Sequence, residues 1–297
     1  MNKIFVSIII PTYKDWARLS FCLHSLSQQN YDKDLYEVII VNNYVADKLP
    51  DDYNLPDNFK MITEEKPGSY AARNAGIKIS RGEIMGFTDS DCIPDKDWIS
   101  NAVDFFMNNP DCDRIAGKIR LYYKSDKLTK AELYEKIYAF NQDMYVEQDG
   151  TGVTANMFSH KYVFDKVGLF KEDLLSGGDY EWSVRAREAN YKINYSDNVI
   201  VNHPARYHLN ELVKKAKRVG GGQAGFDPSS GKNILQSIIR FIYDLRPPVN
   251  SIPLIIAKGK DLHISQKVLI FYLRYYLSII TAHEKFRVSQ GKGAQRE

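Results

Sequence analysis

The chain has 297 residues, 44% hydrophobic and 26% charged, an ordinary globular balance that supports a buried core and excludes a disordered or fibrous chain. Its three cysteines, Cys22, Cys92 and Cys112, are odd in number and lack zinc-site or disulfide-framework spacing, which fits a reducing cytosol. The net charge of +3 is unevenly spread: Glu211 to Glu297 carries 15 Lys and Arg against 6 Asp and Glu, and the rest 25 against 31, so an acidic body and a basic tail point to different partners.

Val6 to Ile10 is a continuous apolar, β-branched run. It reads as a buried strand closed by Pro11. Trp16, Leu19, Leu23 and Leu26 follow at helical spacing, so the stretch from Asp15 to Gln29 is an amphipathic helix. Glu37 to Val41 is a second buried strand, ending in Asn42-Asn43, and Phe59 to Thr63 a third. Ser69 to Ile79 is an Ala-rich helix. Glu83 to Phe87 is a strand that runs into Asp89-Ser90-Asp91, and a helix follows from Asp95 to Met107. This alternation predicts an α/β fold with a mostly parallel, doubly wound sheet. Such sheets bind ligands beyond the carboxyl ends of their strands. Pro11-Thr12-Tyr13, Asn42-Asn43 and Asp89-Ser90-Asp91 all fall at that edge. Carboxylates at i and i+2 of a strand end can converge on one hard divalent cation. Alternatively they cap the next turn. Cys92, directly after Asp91, reads as a buried inert thiol.

Beyond Asp111, the stretch from Arg114 to Tyr123 is strand-like and that from Lys130 to Tyr145 helical. Gly150 to Phe158 is rich in Gly and Thr and suits a segment passing beneath a ligand. A short helix at Lys161 to Val167 precedes a helix opened by Leu175 to Trp182, with Asp179 in its first turn and Arg185 further on. Lys192 to Tyr195 and Val199 to Asn202 are short strands, followed by His203-Pro204. The opening residues lead straight into a strand pattern, so no secretory signal is expected.

From about Tyr207 the chain becomes basic and helical. Leu209 to Val219 is a helix, Gly220 to Gly225 a flexible break, and Ile234 to Leu245 a helix stopped by Pro247-Pro248. Ser265 reads as the N-cap of a helix running to Arg287. Its apolar stretch, Val268 to Ala282, is interrupted by Arg274 and falls short of the roughly 20 residues a bilayer span needs. Lys267, Arg274, Ser278, Thr281 and Lys285 share one face, opposite an aromatic and aliphatic one. Such a helix either lies in a membrane interface or packs on the preceding domain or a second subunit. The expected division is a domain at 1–208 and a basic helical region at 209–297.

Eight segments, in order, resemble the inverting family 2 glycosyltransferases of the GT-A fold. They are Val6-Ser-Ile-Ile-Ile-Pro-Thr-Tyr13, Glu37-Val-Ile-Ile-Val-Asn-Asn43, Gly68-Ser-Tyr-Ala-Ala-Arg-Asn-Ala-Gly76, and Arg81-Gly-Glu to Thr88-Asp-Ser-Asp91. Further on come Thr154-Ala-Asn-Met-Phe158, Val167-Gly-Leu-Phe170, Gly177-Gly-Asp-Tyr-Glu-Trp182 and His203-Pro204. The resemblance implies a GT-A catalytic domain that moves a sugar from a nucleoside-diphosphate sugar to an acceptor hydroxyl, with inversion, in polysaccharide or glycolipid biosynthesis. The leaving diphosphate needs a cation. By resemblance Asp91 holds Mn²⁺ or Mg²⁺, Asp89 contacts the ribose or helps hold the metal, and His203 is the distal ligand. Tyr13 stacks on the nucleobase, lined by Pro11 and Thr12, and Arg73 faces the diphosphate or base. Asn43 stands where the family often has an Asp that reads the uracil imide. Its amide both donates and accepts, so a UDP-sugar is the first expectation, with GDP and dTDP donors open.

Asp179 is the expected base for the acceptor hydroxyl. The family more often shows Gly-Glu-Asp where this chain has Gly-Gly-Asp, so the base is kept and the preceding Glu is lost. Glu181 is the alternative base, or a partner of Arg185. Read without the resemblance, Asp179 is an N-cap, His203 a hydrogen-bonded strand-end histidine, Tyr13 a turn tyrosine and Arg73 a surface helix residue. Lys214, Lys217 and Arg218 are either a lid over the diphosphate or a solvated basic face. The expected acceptor is a glycan or a lipid-linked sugar, and the expected location cytoplasmic, extending to the cytoplasmic face of the inner membrane through the C-terminal helices. Two other readings remain. A nucleotidyltransferase requires a Gly-rich phosphate loop after the first strand, where this chain has Pro-Thr-Tyr-Lys-Asp. A catalytically degenerate sugar-nucleotide-binding or scaffold protein would account for Asn43 and the missing Glu. Nucleic acid is disfavoured, because the basic charge sits beside long apolar helices.

Overall fold

A computed structural model describes residues 4–47, 49, 54–174, 176–225 and 234–293. The chain divides into two compact units. Met1–Arg120, Phe140–Asp173 and Gly178–Pro204 form the first, and Leu121–Ala139, Leu174–Gly177 and Ala205–Glu297 the second.

The first unit opens with β1 (Val6–Thr12), α1 (Trp16–Ser27), β2 (Tyr36–Asn42), β3 (Phe59–Thr63), α2 (Ser69–Ile79) and β4 (Ile84–Thr88). β1 pairs in parallel with β2 and β4, and β2 with β3. Every residue of β1, β2 and β4 is buried, which is why these strands read as unbroken apolar runs. β1 continues through Pro11. Its ladder to β4 ends at Ile9↔Phe87, and residues of a strand face its neighbours alternately, so the donor that Pro11 lacks is not needed. Gly76 lets α2 lie close on the sheet: a Cβ there would sit 2.6 Å from Ile9 Cγ2.

Next come β5 (Ile93–Pro94), α3 (Trp98–Asn108), β6 (Arg114–Tyr122), α4 (Lys130–Tyr138), α5 (Gln142–Asp149), β7 (Asn156–His160), α6 (Lys161–Val167), α7 (Gly178–Glu188) and β8 (Ile193–Pro204). The sheet order is β3-β2-β1-β4-β7-β6-β8-β5. The expected parallel sheet therefore covers only its first half. β7 runs antiparallel to β4 and β6, and β5 to β8. The helix expected from Lys130 to Tyr145 breaks in two at Phe140, whose φ is +53° and whose ring lies 4.4 Å from that of His203. The two short strands expected before His203 are one. Asp197 stays extended because it is held by Lys118 Nζ at 2.8 Å and the Tyr195 hydroxyl at 3.1 Å.

Asn156 ties the antiparallel half together. It accepts from the buried Trp98 indole N–H at 2.8 Å and donates to the carbonyls of Lys118 and Val199 at 2.8 and 2.9 Å. Trp98 itself packs 4.5 Å from Phe158.

The second unit holds α4 with α8 (Leu209–Gly225), α9 (Ile234–Asp244), α10 (Ile252–Lys258) and α11 (Ile264–Ser289). Two apolar clusters bind it: Ala131, Tyr134, Leu212, Ala216 and Leu277, and Leu133, Ile137, Ile255 and Ile270. Glu135 of α4 is buried against Arg206, accepting from its backbone N–H at 2.8 Å and its guanidinium at 2.7 Å. The break expected at Gly220 is absent, and α8 runs on to Gly225. These glycines serve close packing. A Cβ at Gly220 would come within 2.6 Å of the Thr281 carbonyl, and one at Gly222 within 2.6 Å of the Ser176 carbonyl. α11 is capped by His263 with Gln266, two residues before the expected Ser265. α10 was not apparent from the sequence. Among the described residues, no helix is long and apolar enough to cross a membrane.

Asn156→Ala removes one partner from the buried Trp98 indole and Val199 carbonyl and from the half-buried Lys118 carbonyl. A loss of about 2–4 kcal/mol is expected, measured by urea unfolding with the slope unchanged.

Candidate active site

The site is built outward from the N-terminus of α2. The Asn43 amide donates to the carbonyls of Glu64 and Lys66 at 2.9 and 2.8 Å, and its oxygen accepts from the Gly68 N–H at 2.6 Å. Gly68 has φ +133°, a conformation that favours glycine. Asn43 thus shapes the loop from which α2 starts, and one lone pair of its oxygen remains for a ligand.

α2 then places three side chains. Arg73 is buried and pairs with Asp89 at 2.5 Å. It is not a surface helix residue. Asn74 holds the Phe170 backbone from both sides, at 2.9 and 3.1 Å. The Tyr70 hydroxyl donates to Asp179 Oδ1 at 3.1 Å. Burial first, and then the Asp179 charge, pushes the Tyr70 hydroxyl far above its usual range, so it remains a donor.

At the end of β4, ligand atoms of Asp89, Asp91, Cys92 and His203 lie within 4.8 Å of one another. His203 is buried in β8, with Nδ1 2.7 Å from the Pro204 carbonyl and Nε2 3.7 Å from Asp91 Oδ1. A carbonyl only accepts, so in the neutral ring Nδ1 carries the proton and Nε2 turns its lone pair toward Asp91. Two carboxylates and an imidazole so oriented fit a divalent cation. Burial, followed by the Asp89 and Asp91 charges, raises the Cys92 thiol well above its usual range. It is the buried thiol expected from the sequence. Arg18 of α1 also reaches Asp91 Oδ2, at 3.2 Å.

Pro11 and Thr12 are buried in β1, and Tyr13 beyond them is half exposed. The Tyr13 ring meets Tyr44 edge-on at 5.4 Å, and Lys14 Nζ lies 3.9 Å from the Tyr44 ring centroid. Thr12 Oγ1 and Arg73 Nε are buried without a hydrogen-bond partner. Such groups are normally satisfied, so both point to a ligand that completes this edge.

Asp179 lies in the first turn of α7. Besides Tyr70, its carboxylate accepts from the backbone N–H groups of Tyr180 and Thr154, at 3.0 and 3.4 Å. α7 is anchored by buried Trp182, stacked on Phe164 at 4.2 Å with its N–H on the Gly168 carbonyl at 2.8 Å. Glu181 pairs with Arg185 and with Lys171, each at 2.8 Å. Burial raises its carboxyl, but these hydrogen bonds and charges outweigh it and hold the group below its usual range.

Residues 7–168 match the family described as glycosyl transferase family 2. The chain belongs to that family. It is 36% identical over 224 residues to glycosyltransferase AglE of Haloferax volcanii, covering 74% of this chain and 73% of that one. A dolichyl N-acetyl-α-D-glucosaminyl phosphate 3-β-D-2,3-diacetamido-2,3-dideoxy-β-D-glucuronosyltransferase of Methanococcus voltae is 23% identical over 305 residues, covering 92% and 95%. Among solved structures, a mannosyltransferase of Pyrobaculum calidifontis, in complex with GDP-mannose and Mn²⁺, superposes with a TM-score of 0.53 at 14% identity, over 98% of this chain and 76% of that one. TarS 1–349 of S. aureus gives 0.51 at 16%, over 99% and 94%. These likenesses show the GT-A-like fold, and the family makes the chain a glycosyltransferase.

Sequence reasoning missed Arg18 and Tyr70, neither of which stands at a diagnostic spacing. Tyr70 also crowds Gly178. A Cβ on Gly178 would lie 2.7–2.9 Å from atoms of the Tyr70 ring, so the ring occupies the space a Glu side chain would need. Gly178→Glu is expected to cost about 1–3 kcal/mol by overpacking. Tyr70→Ala in the same chain should recover part of it. Urea unfolding of both singles and the double measures the coupling, and strict additivity would rule the contact out as the cause.

Proposed function

We propose that this glycosyltransferase is metal-dependent and inverting, transferring sugar from a nucleoside-diphosphate donor to an acceptor hydroxyl in polysaccharide or glycolipid biosynthesis. The observation that carries the reading is the meeting of Asp89, Asp91 and His203 at the end of β4, with ligand atoms within 4.8 Å of one another. Asp91 and His203 would hold Mn²⁺ or Mg²⁺, with Asp89 on the metal or the donor ribose. A bound cation would neutralise the charge that builds on the departing diphosphate.

The chain's own residues supply the rest. Tyr13 offers an exposed ring for the nucleobase, with Pro11 and Thr12 below it. Arg73 fixes Asp89 and keeps Nε for the donor, and Arg18 adds positive charge beside Asp91. The remaining lone pair of Asn43 suits an imide N–H, which favours a UDP-sugar and leaves GDP and dTDP donors as alternatives. Asp179 acts as base: it takes the proton of the acceptor hydroxyl, whose oxygen attacks the anomeric carbon opposite the leaving diphosphate and so inverts it. Glu181 is tied up with Arg185 and Lys171, which favours Asp179. The acceptor class is a glycan or a lipid-linked sugar, in keeping with the dolichyl-phosphate name of the Methanococcus relative. Catalysis resides in residues 1–208, on the cytoplasmic side, with peripheral membrane contact through the helices of 209–297.

Calorimetry with nucleoside-diphosphate sugars and Mn²⁺ identifies the donor. With that donor, Asp179→Asn is expected to lower turnover by about 10²–10⁴-fold while leaving Mn²⁺-dependent donor binding intact. Wild-type turnover in that variant would remove Asp179 as the base. Asp91→Ala and His203→Ala are expected to weaken donor binding, as is chelation with EDTA, reversed by added Mn²⁺. Unchanged turnover in excess EDTA would sink the metal assignment.

A further inference from the structure

Helices of a globular unit turn their apolar stripe inward. α11 does so with Ile270, Leu273, Leu277 and Ile280, which join the two apolar clusters of the second unit. Its polar residues are packed there as well. Arg274 lies 5.2 Å from the Tyr138 ring centroid and 3.4 Å from the Tyr134 hydroxyl. The Thr281 hydroxyl donates to the Ala216 carbonyl at 3.3 Å, and Lys285 pairs with Asp244 at 3.4 Å. What α11 shows outward is Ile264, Val268, Tyr272 and Tyr276, spaced by four residues.

α9 repeats the pattern. It is held to α11 by Phe241 on Phe286, ring centroids 5.0 Å apart, and its Ile238, Ile239, Ile242 and Tyr243 point away. Ile252 and Ile256 of α10 add to them, and all ten side chains are between 39% and 67% exposed. Single exposed apolar residues are commonplace. Ten of them on three successive helices mark an interaction site.

Charge identifies the occupant. Residues 234–276 hold six Lys and Arg but only two acids, Asp244 and Asp261. Both acids are neutralised within the unit, by Lys285 and Lys136. The apolar surface is therefore interspersed with cations such as Arg246, Lys260 and Lys267. Arg246 stacks over Tyr243, 3.3 Å from its centroid. Exposed tyrosines and cations among isoleucines suit an interface where apolar chains meet anionic headgroups. A second copy of the same face would set like charges against each other.

We propose that α9, α10 and the N-terminal half of α11 form a docking surface for an anionic lipid bilayer, lying in the plane of the headgroups without crossing. The inference deepens the proposed function by fixing which face of the helical region meets the membrane, and it rests on that reading only for why an enzyme would sit there.

Flotation with vesicles of phosphatidylcholine and phosphatidylglycerol in equal parts, against phosphatidylcholine alone, tests it. The wild type is expected to float with the anionic vesicles at low salt and less at high salt. Ile239→Asp/Ile242→Asp should reduce bound protein by about tenfold or more, with an unchanged melting temperature because both positions are already exposed. Arg246→Glu/Lys260→Glu should weaken binding and flatten its salt dependence. Asp179→Asn should float like the wild type, so failure of the base assignment leaves this result standing. Wild-type protein that stays unbound at low salt, or an isoleucine variant that floats undiminished, would overturn the proposal. So would a wild-type dimer that the isoleucine substitutions convert to monomer.

Discussion

The site depends on one buried cation. Arg73 is withdrawn from water on α2, and an unpaired charge there would cost several kcal/mol, so Asp89 is obliged to stay beside it at 2.5 Å. That pair fixes the turn after β4 and with it the neighbouring Asp91. The same helix carries Tyr70 to Asp179 and Asn74 to the Phe170 backbone. Its own position is set by Asn43 and Gly68 at one end and by the close approach of Gly76 to the sheet. A single eleven-residue helix thereby keeps Asp89, Asp91 and Asp179 in register.

Much of this was legible in sequence where one residue type has one physical use. Unbroken β-branched runs became the parallel strands, and the Ala-rich segment became α2. The carboxylates of Asp89 and Asp91 fall at the strand end expected of them. What was not legible depends on partners distant in the chain. Nothing in Asn156 to His160 says that the strand runs antiparallel between β4 and β6. Gly220 to Gly225 resembles a break, because composition cannot show that Thr281 and Ser176 crowd those positions. Arg18 and Tyr70 are ordinary residues until the fold brings Asp91 and Asp179 to them. The polarity of α11 was visible as a pattern, but which stripe faces the protein was not. Arg274, Thr281 and Lys285 found partners inside beside Ile270 and Leu277, and Ile264, Val268, Tyr272 and Tyr276 were left outside.

The family match covers residues 7–168, and Asp179 and His203 lie beyond it. Here the approach to Asp179 passes through Gly177, with φ +79°, and then Gly178, whose absent side chain makes room for Tyr70. A phenol from α2 thus occupies the space beside the start of α7 that a side chain at position 178 would need. It keeps the Asp179 carboxylate hydrogen-bonded through a neutral group that holds its proton.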